Sequence, residues 1–169
     1  MCVVFWRTRI WNLSRFQIRG INYSYRSMCS SITIMDRLGA WSQKTLDVNG
    51  DIALEVAVDK FYERVLVDPS LVRFFEGHDH AKLRKHQFNF MKSAFSGGKF
   101  KYTHKSMDVA HARLFKMGLG GKEFDIVAGH LIGTLQSLNV PEDIQTDVVT
   151  VVGPLRSIFV EGYEKHAPK

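Results

Sequence analysis

Met107-Asp-Val-Ala-His111-Ala-Arg-Leu114 is the stretch on which the reading of this chain turns. Met107, His111 and Leu114 stand at i, i+4 and i+7, so a helix places all three on one face. A histidine on an apolar helix face has two readings: a core residue satisfied by a local hydrogen bond, or a group held for chemistry. Taken alone, the first is the commoner. Two other helical stretches shift the balance, because each also carries one polar residue on an apolar face: Tyr62 and Gln87.

Working outward, the apolar positions Leu54, Val58, Phe61/Tyr62 and Val65 predict a helix over 51–67, begun by Asn49-Gly50-Asp51 and stopped by Asp68-Pro69. Leu71 to Phe75 is a short apolar piece, and Gly77-His-Asp-His80 a corner. Leu83, Gln87, Phe90/Met91 and Ala94 form the inward stripe of a helix over 81–96, which Gly97-Gly98 ends. The helix of His111 follows a loop and is broken by Gly118, Gly120 and Gly121. Phe124, Val127/Ala128, Leu131 and Leu135 predict a helix over 123–138. Ile144, Val148, Val151/Val152, Leu155 and Phe159 predict a last one over 142–163, bent at Gly153-Pro154. The body reads as all-α, a single domain over 50–165 preceded by a lead-in over 36–49.

Charge and cysteine divide the chain unevenly. Residues 1–35 hold five arginines, no lysine and no acid, while the rest holds 18 of the 23 basic residues against all 17 acids. The body is thus near neutral, which argues against a nucleic-acid footprint. Both cysteines, Cys2 and Cys29, also lie in the first stretch, so the body offers no disulfide, thiol nucleophile or thiolate metal site. No apolar run approaches the roughly 18 residues of a membrane span. Arg-rich, Ser-rich and acid-free, 1–35 has the composition of an organelle transit peptide, for a mitochondrion or chloroplast, and is expected to be poorly ordered. An exposed tail or a helix lying on a membrane surface is the alternative, and without a targeting role the protein would be cytoplasmic.

Tyr, Gln and His pointing inward from three helices are either three separately satisfied polar residues or one shared pocket. A single histidine is too few donors for zinc, which takes about four. Haem needs only one: the macrocycle brings four nitrogens, the protein one imidazole, and a position stays open. The 12 phenylalanines would suit its flat apolar surface.

The pieces Val58-Asp-Lys-Phe-Tyr-Glu-Arg-Val-Leu66, Asp68-Pro69, Phe74-Phe75, Lys85-His-Gln-Phe88, Gly97-Gly98, Met107-Asp-Val-Ala-His111, Phe124-Asp-Ile-Val127, His130-Leu131 and Val140-Pro-Glu-Asp-Ile144 occur in one order across 50–160. Together they resemble the group I truncated haemoglobins, the two-over-two globins. The resemblance implies a two-over-two helical sandwich around haem b. It makes His111 the proximal iron ligand, Tyr62 and Gln87 the distal hydrogen-bond donors, and Phe61, Phe75, Leu83, Met107 and Phe124 pocket residues. Leu83 stands where many members have glutamine, which leaves the polar cluster to Tyr62 and Gln87. His86 matches a position that in some relatives supplies a sixth iron ligand. A covalent histidine link to haem is not expected, because Arg156-Ser157 occupies the matching region and His166 lies too far along.

His78, His80 and His104 fall in expected loops, and His130 reads as structural. Gly118-Leu-Gly-Gly121 lacks the preceding strand of a nucleotide-binding loop. Three functions follow. The first is reversible dioxygen binding for storage, delivery or sensing, with nitric oxide and carbon monoxide as further ligands. The second is a nitric oxide dioxygenase dependent on a separate reductase. The third is a helical protein that has lost haem, against which the retained His111, Tyr62, Gln87 and Phe75 argue.

Overall fold

The computed structural model describes residues 13–18, 21–25, 32–97, 99 and 106–166. It divides into two units, Met1–Ser31 and Ile32–Lys169. In the first, β1 (Leu13–Ile18) and β2 (Ile21–Tyr25) form an antiparallel pair, with a register shift between Ser14 and Gln17. The run Ile-Asn-Tyr-Ser-Tyr of β2 has the period of two that suits a strand. The remainder of that unit lies outside the described residues.

The second unit is helical throughout its described residues. It holds α1 (Ile34–Leu46), α2 (Gly50–Val65), a 3-10 turn (Val72–Phe74), α3 (His80–Phe95), α4 (Met107–Lys116), α5 (Gly121–Ser137), α6 (Glu142–Val152), a second 3-10 turn (Gly153–Leu155) and α7 (Arg156–His166). None of these helices is long and apolar enough to cross a membrane.

Local chemistry sets the boundaries. Asn49 caps α2 by accepting hydrogen bonds from the Asp51 and Ile52 amides at 3.0 Å each. Asp79 does the same for α3 through the Ala81 and Lys82 amides at 3.0 and 3.2 Å. Left-handed residues close α4 and α5: Gly118 (φ 96°) and Asn139 (φ 54°) turn the chain so that Leu119 and Val140 donate back to the Leu114 and Leu135 carbonyls, at 3.0 Å each.

Two boundaries differ from the sequence reading. The lead-in is a helix, α1, which begins before residue 36. Its start is a capping box: the Thr33 hydroxyl accepts from the Asp36 amide at 3.1 Å, and the Asp36 carboxylate accepts from the Thr33 amide at 2.9 Å. Arg37 then ties α1 to Asp143 and Asp147 of α6. The last expected helix is broken into α6, a 3-10 turn and α7, because Pro154 has no amide to continue the ladder.

The core sits mainly on α2, whose Leu54, Val58, Phe61, Tyr62 and Val65 are all buried. Helices α1, α3 and α5 pack around it. A Cβ on Gly50 would lie 3.0 Å from the Gly39 Cα, so α1 and α2 cross backbone to backbone. Phe124, Leu131 and Leu135 of α5, Ile144 and Val148 of α6, and Leu155 and Phe159 beyond it complete the apolar set, with fully buried Thr134 among them. Helix α3 departs from expectation: Met91 is buried, but Leu83, Gln87, Phe90 and Ala94 are only half-buried.

Two glycines report the packing with opposite signs. A Cβ on Gly162 would meet the Phe115 ring at 2.4 Å, whereas one on Gly129, inside α5, would meet nothing within 4 Å. Gly162→Ala is expected to destabilise the fold by about 1–3 kcal/mol through overpacking. Gly129→Ala is expected to stabilise it by about 0.4–1 kcal/mol. Denaturant unfolding of the two variants checks both signs.

Candidate functional site

Helix α4 carries His111 one turn after Met107. The His111 Nδ1–H donates to the Met107 carbonyl at 2.8 Å, a bond made available by the i, i+4 spacing. That fixes the tautomer and leaves Nε2 with the lone pair, and the carbonyl raises the basicity of that nitrogen. Burial holds the imidazole below its ordinary pKa, with the Met107 carbonyl pulling the other way. His111 is thus a neutral imidazole with a nitrogen ready to ligate, the form a metal requires.

Aromatic rings from two other helices orient it. The His111 ring lies 5.1 Å from Phe159 of α7 at 63°, and Phe159 in turn lies 5.0 Å from Phe124 of α5. Phe115, fully buried on α4, meets Phe159 edge-on at 6.0 Å, and His166 stacks on its ring at 6.1 Å and 8°. Met107 is half-buried at the start of the helix. The role of Phe159 and Phe115 around His111 was missed in the sequence, where Phe159 reads as plain core. The spacing Phe115 = His111 + 4 was the available signal.

A second cluster forms at the C-terminal end of α2. Tyr62 is 5% exposed and lies edge-on to its neighbour Phe61 at 5.5 Å and to Phe75 at 6.1 Å. Phe75 is placed by the 3-10 turn, where its amide donates to the Val72 carbonyl at 2.9 Å. The Tyr62 phenol is pushed up to about 12 by burial, with the Arg84 guanidinium of α3 pulling the other way. Arg84 also reaches back to α2, its buried Nε 3.7 Å from the Asp59 carboxylate and without a hydrogen-bond partner. In the sequence Arg84 reads only as a residue on the outer face or edge of its helix.

On α3, Gln87 and Leu83 are half-buried one turn apart, and His86 is exposed. Among the described residues, neither the Tyr62 hydroxyl nor the Gln87 amide has a hydrogen-bond partner. Arg84 Nε, not the Tyr62 hydroxyl, is the buried side-chain polar atom without a partner among the described residues, so the Tyr62 hydroxyl faces space that water or a ligand can reach. His78 donates or accepts within its own corner, Nδ1 lying 3.0 Å from the Glu76 carbonyl, and the exposed His80 begins α3. His104 lies outside the described residues. No group of three or more metal-ligating side chains occurs among them, so zinc-type coordination finds no donor set.

An apolar cavity of about 140 Å³ also lies in this unit, lined by Leu38, Trp41, Ala53, Met91, Leu135 and Ile144 among others. Tyr62, Gln87 and His111 do not line it, so it is separate from the residues that carry chemistry.

The chain therefore presents a globin type of arrangement: one neutral histidine backed by aromatic rings on one helix, and a tyrosine with unused donor capacity on another. Residues 47–160 match the bacterial-like globin family. The chain is 46% identical to a group 1 truncated haemoglobin of a Synechocystis species over 107 residues, 63% of this chain and 86% of that protein. It is 35% identical to the group 1 truncated haemoglobin of Mycolicibacterium paratuberculosis over 115 residues, 68% of this chain and 82% of that protein. The solved 2/2 haemoglobin of Synechococcus sp. PCC 7002, in its cyanomet state and with covalently attached haem, has a TM-score of 0.67 at 38% identity, covering 76% of this chain and 98% of that one. The chain belongs to the bacterial-like globin family, and within it to the group 1 truncated haemoglobins. Helix α1 lies outside the matched stretch. Globins are haem proteins, and the donor set here fits that group: one imidazole nitrogen, apolar and aromatic neighbours, and two unused polar donors.

Tyr62 makes the alkaline limb of stability a test of this geometry. Its folded pKa of about 12 lies above the ordinary value of 10.0, so the contribution is complete below pH 10 and is lost as pH rises through 12. Stepwise unfolding measurements across that window are expected to show the loss, and Tyr62→Phe is expected to remove that part of it.

Proposed function

We propose that this protein binds dioxygen reversibly at haem b, with His111 as the iron ligand and Tyr62 and Gln87 as hydrogen-bond donors to the bound gas. The observation that carries the reading is Tyr62: its ring is buried, burial pushes its pKa up to about 12, and its hydroxyl makes no hydrogen bond among the described residues. Haem, held by His111, would supply a binding site for a diatomic gas and one-electron chemistry at iron.

The side chains then act as follows. His111 holds its ring by the Nδ1 bond to Met107 and by contact with Phe159, presenting Nε2 in a fixed direction. Phe61 and Phe75 pack edge-on against the Tyr62 ring and hold it, so its hydroxyl oxygen has a fixed position. Gln87 adds an amide donor from α3. Leu83, Met107 and Phe124 are apolar pocket residues in this reading and keep water away from the donors. The Tyr62 and Gln87 donors would favour a diatomic ligand that carries partial negative charge, such as dioxygen, over a neutral one such as carbon monoxide. A hydrogen bond to a charged acceptor contributes about 1.5–3 kcal/mol. Two of them slow release by about two to three orders of magnitude, at roughly 1.4 kcal/mol for each factor of ten.

Oxidation of nitric oxide to nitrate by dioxygen at the same residues is the second use this polar site suits. Each turnover would take one electron from a separate reductase. His86 is exposed on α3, so service as a sixth ligand would require it to move. Residues 1–35, acid-free and Arg-rich, are read as an organelle-targeting stretch.

Tyr62→Phe is expected to speed dioxygen release at least about tenfold, the loss of one charge-assisted hydrogen bond. Stopped-flow displacement of dioxygen by carbon monoxide measures it, and an unchanged rate removes Tyr62 from the mechanism. Nitrate formed over many turnovers with a supplied reductase would establish the second use; its absence beside intact dioxygen binding leaves storage, delivery or sensing.

A further inference from the structure

We infer that His130 is a positioning residue for the distal tyrosine, acting through Asp68 and the corner that follows α2. This inference rests on the reading of Tyr62 as a ligand donor and deepens it.

The starting observation is an ion-pair geometry between distant parts of the chain. His130 Nε2 on α5 lies 2.7 Å from the Asp68 carboxylate, both side chains being largely covered at 25% and 18% exposure. Asp68 is the residue at which α2 gives way to the corner. Its other carboxylate oxygen accepts from the Ser70 amide at 2.8 Å, and its carbonyl accepts from the Leu71 and Val72 amides at 3.0 and 2.9 Å. Leu71 and Val72 then take the Phe74 and Phe75 amides on their own carbonyls, each at 2.9 Å. The corner is therefore one hydrogen-bonded unit that begins at Asp68 and ends at Phe75. Phe75 is the ring that meets Tyr62 edge-on at 6.1 Å.

Helix α5 is a firm base for this contact. The His130 carbonyl accepts from the Thr134 hydroxyl at 2.8 Å, and Thr134 is fully buried. A second contact lies one turn on: the Arg64 guanidinium crosses α5 at Gly133, where a Cβ would stand 2.7 Å from it. The last turn of α2, which carries Tyr62, is thus held to α5 on either side, at Arg64 and at Asp68. Losing the His130 contact leaves the Asp68 carboxylate with its neighbour Ser70 but without its tie to α5, and frees the corner to shift. A shift there moves Phe75, and with it the wall that fixes the Tyr62 ring.

The test uses the full-length haem-loaded protein and the variants His130→Ala, His130→Gln, Asp68→Asn and Tyr62→Phe. The dioxygen release rate and the infrared stretch of bound carbon monoxide are both read, since the stretch reports the field of the tyrosine hydroxyl and not global stability. His130→Ala is expected to speed release by about two- to tenfold, the share of one net hydrogen bond. Asp68→Asn, which keeps one of two acceptor oxygens, is expected to move release and stretch in the same direction, and serves if His130→Ala does not fold. His130→Gln keeps an N–H near the position of Nε2 and is expected to restore wild-type behaviour. In a Tyr62→Phe background, His130→Ala is expected to add nothing, because coupled residues are non-additive. Wild-type release and stretch in both His130→Ala and Asp68→Asn, or an undiminished effect without Tyr62, overturns the inference. If instead Tyr62→Phe itself changes nothing, the donor reading has failed and this inference falls with it.

Discussion

The hydrogen bond from His111 Nδ1 to the Met107 carbonyl is the contact on which the rest of the site depends. It costs the helix nothing, since the spacing of four residues brings the two groups together anyway. Its effect is to decide which nitrogen carries the proton. Burial then keeps the ring neutral, and the packing of Phe159, Phe124 and Phe115 from three helices fixes the plane. A free histidine would have to select a tautomer and a rotamer before binding anything; here both are set by the fold.

Tyr62 and Gln87 are arranged on the opposite principle. Tyr62 and Gln87 are left without protein partners among the described residues, so their donors stay available. What restrains Tyr62 is aromatic packing from Phe61 and Phe75. That packing orients the ring while leaving the hydroxyl free to donate. His111 is therefore fixed by a hydrogen bond, while Tyr62 is restrained by ring packing with its hydroxyl left unbonded among the described residues.

Much of this was legible in the sequence because it obeys the 3.6-residue period. The faces of α2 and α5 and the pairing of Met107 with His111 follow from spacing alone. The Asn49 cap was legible from residue type. What escaped is of another kind. That Asp68 pairs with His130, and that Arg84 lies near Tyr62, depends on how helices dock, and no local pattern encodes it. Helix α1 escaped because its start fell inside the stretch 1–35 set apart by composition, although Ile34, Leu38 and Trp41 stand at helical spacing and Thr33 and Asp36 spelled out the capping box. Helix α3 was read as more buried than it is, because a stripe of apolar residues shows which face turns inward but not how deeply it is covered.

The central claim is that His111 supplies the iron ligand of a bound haem. The most direct measurement is the haem stoichiometry and absorption spectrum of the full chain, wild type beside His111→Ala, with free imidazole then added to the variant. The structure leads to one haem per wild-type chain with imidazole-type bands, loss of haem or of those bands in His111→Ala, and their return on adding imidazole. A variant that keeps haem at wild-type stoichiometry with an unchanged spectrum would contradict the assignment of His111 and the function built on it.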